Sequence, residues 1–201
     1  MIANDLRLRK RPEIRLYCGA VFGGFHFLVM TKTTTSVEPV VSQTPPVIFL
    51  DFEGVLSFPD GTWSVEAMAE LNRLCLETGA GVVLTTLDRY GSSVAELRRM
   101  LLDNGLDKAV AVLGETRDLG AYRAAEKSGD LQLLCEFERW SKGREIAAWL
   151  NEHPGATRFV VIDDQPHICA PYGKRTVVPM GAFSAGDRVR AMRLLLNESL
   201  I

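Results

Sequence analysis

Three short apolar runs in this chain end in oxygen-bearing side chains. Residues 47–51 read VIFLD and continue through Phe52, Glu53, Gly54, Val55 and Leu56. Residues 81–86 read GVVLTT, so that run ends in Thr85 and Thr86. Residues 157–163 read TRFVVID, and a second acid, Asp164, follows. If the runs are strands of one parallel sheet, their carboxylates and hydroxyls meet in one crevice. Carboxylates that close repel one another unless a cation neutralises them. An all-oxygen donor set suits Mg2+, which keeps several waters and takes one or two carboxylates. A metal with a carboxylate beside it outlines a phosphoryl-transfer site, because the carboxylate can attack phosphorus and form an aspartyl-phosphate. One acid at a strand end is ordinarily a helix cap or a solvated loop residue. Three strand ends with matching types make the crevice the stronger reading.

The residues between these runs predict the elements that must position them. Val65, Met68, Leu71 and Leu74 or Cys75 share one helical face over 64–78, and Gly79 is the stop. Ser93 and Glu96 form an S-x-x-E capping box. It opens a helix carrying Leu97, Leu101 and Leu102, ended by Gly105. Residues 109–113 (AVAVL) read as a third strand. Residues 118–140 are irregular, with one helix through 131–140, and Ser141 and Arg144–Leu150 start another. Residues 157–163 form the fourth strand, 176–179 a fifth, and 187–197 a last helix. Strands alternating with helices imply an α/β, Rossmann-like parallel sheet with helices on both faces. Such sheets bind ligands beyond the carboxyl ends of their strands.

VIFLDFEGVLS resembles motif I of the haloacid dehalogenase-like (HAD) superfamily, hhhhDxDGVL. GVVLTT resembles motif II, and FVVIDD resembles motif IV. More narrowly, TGAGVVLTTLDR, KGREIAAWL and FVVIDD are similar to the small HAD domain of Swiss Army Knife RNA-repair proteins. The resemblance covers residues 46–197 and implies a role for each matched position. Asp51 matches the nucleophile. Glu53 falls on the general acid and base, whose backbone carbonyl also binds Mg2+. Thr85 matches the hydroxyl that holds a phosphoryl oxygen, with Thr86 as the alternative. Lys142, or else Arg144, matches the cation that neutralises phosphoryl charge. Asp163 and Asp164, with Asp51 and Glu53, match the metal ligands. Arg89 matches an arginine that either contacts substrate phosphate or lies on the surface. Motif I here reads D-F-E in place of D-x-D, and Asp88 stands where the family has Trp, which removes a stacking surface for a base.

The spacing between motifs leaves little room for a cap. Asp51 and Thr85 are separated by one loop and one helix, and only residues 117–140 could form a small lid. The expected domain is therefore capless or minimally lidded, with an open site. The expected function is a Mg2+-dependent phosphatase acting on a phosphate monoester, a nucleotide or nucleic-acid end among the candidates. A HAD-like binding or interaction module without turnover is the alternative.

The chain carries 23 Lys/Arg and 25 Asp/Glu, a net charge of −2. Residues 1–32 hold six of the cations (Arg7, Arg9, Lys10, Arg11, Arg15, Lys32) against Asp5 and Glu13, a net of +4. The rest is mildly acidic, which excludes the broad basic footprint of a duplex-binding protein. Residues 16–31 carry no Lys, Arg, Asp or Glu and follow a basic stretch, like the start of a secretory signal. Three glycines and a histidine interrupt them, no A-x-A-like site follows, and a stable span needs about 20 apolar residues. No stable membrane span is expected. Residues 1–45 read as an extension and a Thr/Pro-rich linker, with Met30 as an alternative start, and 46–201 as the folded domain. The four cysteines contain no C-x-x-C pair, which points to reduced thiols and a cytoplasmic setting.

Overall fold

VIFL has no polar interruption, and in the structure it forms β1 (Val47–Leu50), a strand buried on both faces. The structure is a computed structural model and describes residues 44–117, 131–167 and 169–196. The extension and the body of the candidate lid lie outside these residues. Two further runs buried on both faces form β2 (Gly81–Leu84) and β4 (Phe159–Ile162). With β3 (Val112–Glu115) and β5 (Thr176–Val177) they make a five-stranded sheet in the order β3-β2-β1-β4-β5, all pairs parallel. The Rossmann-like α/β architecture expected from the alternating pattern is the one observed.

Alternate residues of the central strands enter two separate cores. Ile48, Leu50, Val82, Leu84, Val160 and Ile162 pack with buried residues of α1 (Val65–Thr78), α2 (Val94–Asp103) and α4 (Ala185–Leu196). Val47, Phe49, Val83, Phe159 and Val161 pack with Ile146 and Trp149 of α3 (Leu131–Glu152). Helices thus cover both faces. The second core is built around Phe49, which meets Trp149 at 5.3 Å and Phe159 at 5.7 Å, both edge-on. That geometry suits the ring quadrupoles.

Several boundaries differ from the sequence reading. The two helices expected over 131–150 are one helix, α3. Gly143 lies inside it, and its propensity cost of about 1 kcal/mol is outweighed once Ile146 and Trp149 bury against the sheet. The third strand starts at Val112 instead of residue 109. Asp107 holds the preceding residues in a turn, accepting from Ala109 N through its side chain and from Val110 N through its carbonyl. The strand then carries an irregularity, since Val82 pairs with Val112 but Val83 pairs with Gly114. Val65 is exposed at the start of α1, and the buried face there is Ala67, Met68, Leu71, Leu74 and Cys75. The fifth strand stops at Val177, two residues before Pro179. The last helix starts at Ala185 because Ser184 and Asp187 cap it reciprocally, each side chain accepting from the other's backbone N–H. The Ser93–Glu96 capping box is present as expected. No helix among the described residues is long and apolar enough to cross a membrane.

Truncating Phe49 removes the ring that joins Trp149 to Phe159. Phe49→Ala is expected to cost about 3–5 kcal/mol, the usual range for emptying an aromatic core site. Urea unfolding of the two proteins checks this, and a loss below about 1 kcal/mol would show that α3 does not depend on that ring.

Candidate active site

Register brings the polar strand ends to one level. Leu50 pairs with Leu84 on one side and with Ile162 on the other. The next residue of each strand is therefore Asp51, Thr85 or Asp163. The ladder continues through them: Asp51 N donates to Ile162 O at 3.1 Å, Thr85 N to Leu50 O at 2.8 Å, and Asp163 N to Val177 O at 3.2 Å. From β1 the chain works outward through β2 and β3, whereas β4 and β5 fill the opposite side. The crevice between β1 and β4 is thus the switch point where open α/β sheets bind ligands.

Helix α3 reaches this crevice from the face of the sheet that carries the second core. Lys142 Nζ donates to Asp51 Oδ2 at 2.6 Å and to Asp163 Oδ2 at 2.7 Å, and all three side chains are buried. Burial alone would push the Lys142 ammonium down, but the carboxylates of Asp51 and Asp163 outweigh it and hold it above its usual range. Burial raises the Asp163 carboxyl to about 6, with Lys142 pulling it down and Asp51 pushing it up. Arg144, the other candidate cation, is exposed.

Oxygen atoms of Asp51, Asp163 and Asp164 lie within 4.8 Å of one another. Burial, then the charge of Asp51, raises the Asp164 carboxyl. Asp164 Oδ1 is buried without a hydrogen-bond partner, and so is Thr85 Oγ1. Buried polar atoms normally find partners. Hard oxygen donors with unsatisfied capacity fit a divalent cation, and an unpaired hydroxyl beside them fits a ligand oxygen. Among the described residues this is the acidic cluster with metal-ligand geometry.

The loop after Asp51 is folded tightly. Phe52 O accepts from the backbone N–H groups of Val55, Leu56 and Ser57, and Gly54 N donates to Ser57 O. Gly54 has a φ of +73°, and a Cβ there would lie 2.4 Å from Asp164 Oδ2. Only glycine lets this loop lie against the acid. Glu53 is exposed on the loop, and its charge is felt at Asp164.

The two threonines of the second strand end differ. Thr86 caps a short 3-10 turn over Leu87–Tyr90, accepting from Asp88 N at 3.4 Å and donating to Asp88 Oδ2 at 3.2 Å. Thr85 keeps its hydroxyl unpaired. Arg89 is buried, and its guanidinium donates to the carbonyls of Thr85 and Thr86 and to Glu145. The structure therefore brings Asp51, Thr85, Lys142, Asp163 and Asp164 together, sets Glu53 at the rim, and commits Thr86 and Arg89 to protein oxygens. Glu145 and Thr116 had drawn no role from sequence. The available signal was that Glu145 lies three residues after Lys142, on the same helix face.

The family model for the HAD domain in Swiss Army Knife RNA repair proteins matches residues 47–181, the span that holds all of these side chains. The chain belongs to this HAD family. No curated protein and no solved structure matches it. Membership brings phosphohydrolase chemistry and a divalent metal at the coarse level, and the acidic cluster is where that metal fits.

Two outcomes follow for this HAD domain. Lys142→Met leaves Asp51 and Asp163 buried without their cation, a loss of about 3–5 kcal/mol at neutral pH. A divalent ion should recover part of it, so the rise in melting temperature on adding Mg2+ should be larger in the variant than in the native protein. Equal shifts would separate Lys142 from the ion site.

The second outcome concerns pH. Because burial raises the Asp163 carboxyl to about 6, the folded metal-free protein holds that proton more tightly than the unfolded chain. Asp163 then contributes stability that is complete below its unfolded pKa of about 4 and fades as pH rises through about 6. A divalent ion must displace the same proton. The melting-temperature rise produced by Mg2+ should therefore grow between pH 5 and pH 7, as differential scanning fluorimetry would record. A rise independent of pH would exclude Asp163 from the metal site.

Proposed function

We propose that this protein is a Mg2+-dependent phosphatase that works through an aspartyl-phosphate at Asp51 on a phosphate monoester. The observation that carries the reading is the placement of Asp51. It stands at the tip of the central strand, ion-paired to Lys142, with Asp163 and Asp164 beside it and the Thr85 hydroxyl unpaired. A carboxylate so placed can act as nucleophile, and the surrounding donors can hold the phosphoryl oxygens.

In this reading Asp51 attacks phosphorus, and the bond from phosphorus to the leaving oxygen breaks. Glu53 gives that oxygen its proton. Glu53 then takes a proton from the attacking water as the bond to Asp51 breaks, which returns the carboxylate and releases inorganic phosphate. The Thr85 hydroxyl donates to a phosphoryl oxygen. Lys142 balances the charge of Asp51 and the phosphoryl group. Asp51, Asp163, Asp164 and the Glu53 carbonyl would hold Mg2+, which would offset phosphoryl charge. Residues 46–201 form the proposed catalytic domain, and 1–45 the extension and linker. The buried free thiols Cys75 and Cys169 support a cytoplasmic location.

The substrate class we favour is a nucleotide or the end of a nucleic acid. The RNA-repair setting of the family supports it. A single phosphate end needs only the local pocket, which is compatible with a body that is acidic overall. Binding without turnover remains the second reading because Glu53 replaces the usual Asp and is exposed on its loop.

Phosphate release from an aryl phosphate and from nucleoside monophosphates, with and without Mg2+, tests the proposal. Asp51→Asn should abolish release while the protein stays folded. Glu53 is one methylene longer than Asp, and a misplacement of about 1 Å can cost on the order of 100-fold in rate. Glu53→Asp should therefore raise kcat and Glu53→Gln should lower it. Activity retained in Asp51→Asn would remove Asp51 as nucleophile. A native protein inactive on every ester would leave the binding reading.

A further inference from the structure

The Arg89–Glu145 pair is buried, with each side chain 2% exposed or less. Buried ion pairs are seldom better for stability than well-packed apolar side chains. Its geometry gives it another use. Nη1 of the Arg89 guanidinium donates to the carbonyls of Thr85 and Thr86, and Nη2 donates to Glu145. Thr116, the residue after β3, adds a third attachment. Its hydroxyl lies 3.4 Å from Glu145 Oε2 and 3.5 Å from Leu84 O. Glu145 sits on α3 three residues after Lys142, so both project from one face of the helix. One turn of α3 therefore holds the tips of β1 and β4 through Lys142 and the tips of β2 and β3 through Glu145.

We propose that Arg89 and Glu145 are positioning residues that fix the Thr85 hydroxyl and the Lys142 ammonium relative to Asp51, and that Arg89 makes no contact with substrate. This deepens the phosphatase reading and rests on it. The planar fork of arginine can meet two carbonyls and a carboxylate at once, which a lysine ammonium on a flexible stem cannot reproduce. Removing either partner leaves the Thr85 backbone free to rotate its hydroxyl away, and lets the Lys142 turn shift along the sheet. Both displacements act on the chemical step, through the hydroxyl and the ammonium that meet the phosphoryl group.

The test compares Arg89→Lys, which keeps the charge, with Glu145→Gln, which keeps the size. Well below the melting temperature, each should lower kcat about 10- to 100-fold. Any change in KM should be shared by the two variants, because both reach substrate only through the Thr85 hydroxyl and the Lys142 ammonium. The double variant should be no slower than the slower single variant, since the two act as one unit. A substrate contact by Arg89 predicts instead a raised KM in Arg89→Lys and native kinetics in Glu145→Gln, which would overturn the proposal. A lowered melting temperature with unchanged kcat would overturn it equally.

A readout independent of turnover accompanies the kinetics. In protein carrying 13C-labelled threonine methyls, the order parameter of the Thr85 methyl should fall in both variants while that of Thr157 stays native. No change at Thr85 would sink the positioning role. If the native protein hydrolyses no ester, the phosphatase reading fails, and the methyl measurement still decides whether the pair holds Thr85. Thr116→Val removes only the outermost attachment. It should give a smaller fall at Thr85 and serves where a charge variant does not fold.

Discussion

Everything at the mouth of this sheet depends on one ammonium group lodged between two buried carboxylates. Asp51 and Asp163 end adjacent strands in register, so the ladder sets their backbones side by side. Without a cation the two charges would oppose the pairing of β1 with β4, at the centre of the sheet. Lys142 resolves this from α3, the helix that also buries Ile146 and Trp149 in the second core. The second core around Phe49, Trp149 and Phe159 therefore does more than bury area. It sets the height at which α3 crosses the sheet, and so the reach of the lysine.

The same arrangement explains why the site tolerates so much polarity. Fixed charges in a water-poor crevice interact strongly, and they cost little reorganisation when a ligand arrives. Thr85 and Asp164 retain unsatisfied oxygens at that point, while Thr86 spends its hydroxyl on a cap. Neighbouring residues of the same type thus have different work, decided by which one continues the strand and which one begins the turn. Gly54 adds a steric condition, since its missing side chain is the space that the Asp164 carboxylate occupies.

Much of this was legible in the sequence, and the reason is register. In a parallel sheet of fully buried strands, an apolar run that stops at an acid or a hydroxyl marks a residue at the carboxyl edge. Asp51, Thr85 and Asp163 could be placed on that rule alone. Lys142 needed the resemblance, because a lysine near the middle of a helix has no local mark of burial. The joining of two expected helices into α3 was hidden by Ser141, which reads as the start of a new helix, a local signal that tertiary packing overrides. Arg89 was the least legible. Its neighbours in sequence are exposed or polar, and only the fold reveals that Glu145, 56 positions along the chain, receives it.

The two margins of the sheet bear on how the protein behaves in a crowded solution. A bare strand edge is a template on which another chain can add its own strand. Here β5 is only two residues long, too short to seed such an addition. At the other margin, β3 slips its register between Val82 and Val83, where Gly114 has a φ of +148° and Leu113 is turned 45% into solvent. An incoming strand would meet a broken row of donors and acceptors on either flank. The central strands, which are the apolar sequences most prone to self-association, thereby lie between a two-residue strand and an irregular one, both poor templates for a neighbouring molecule.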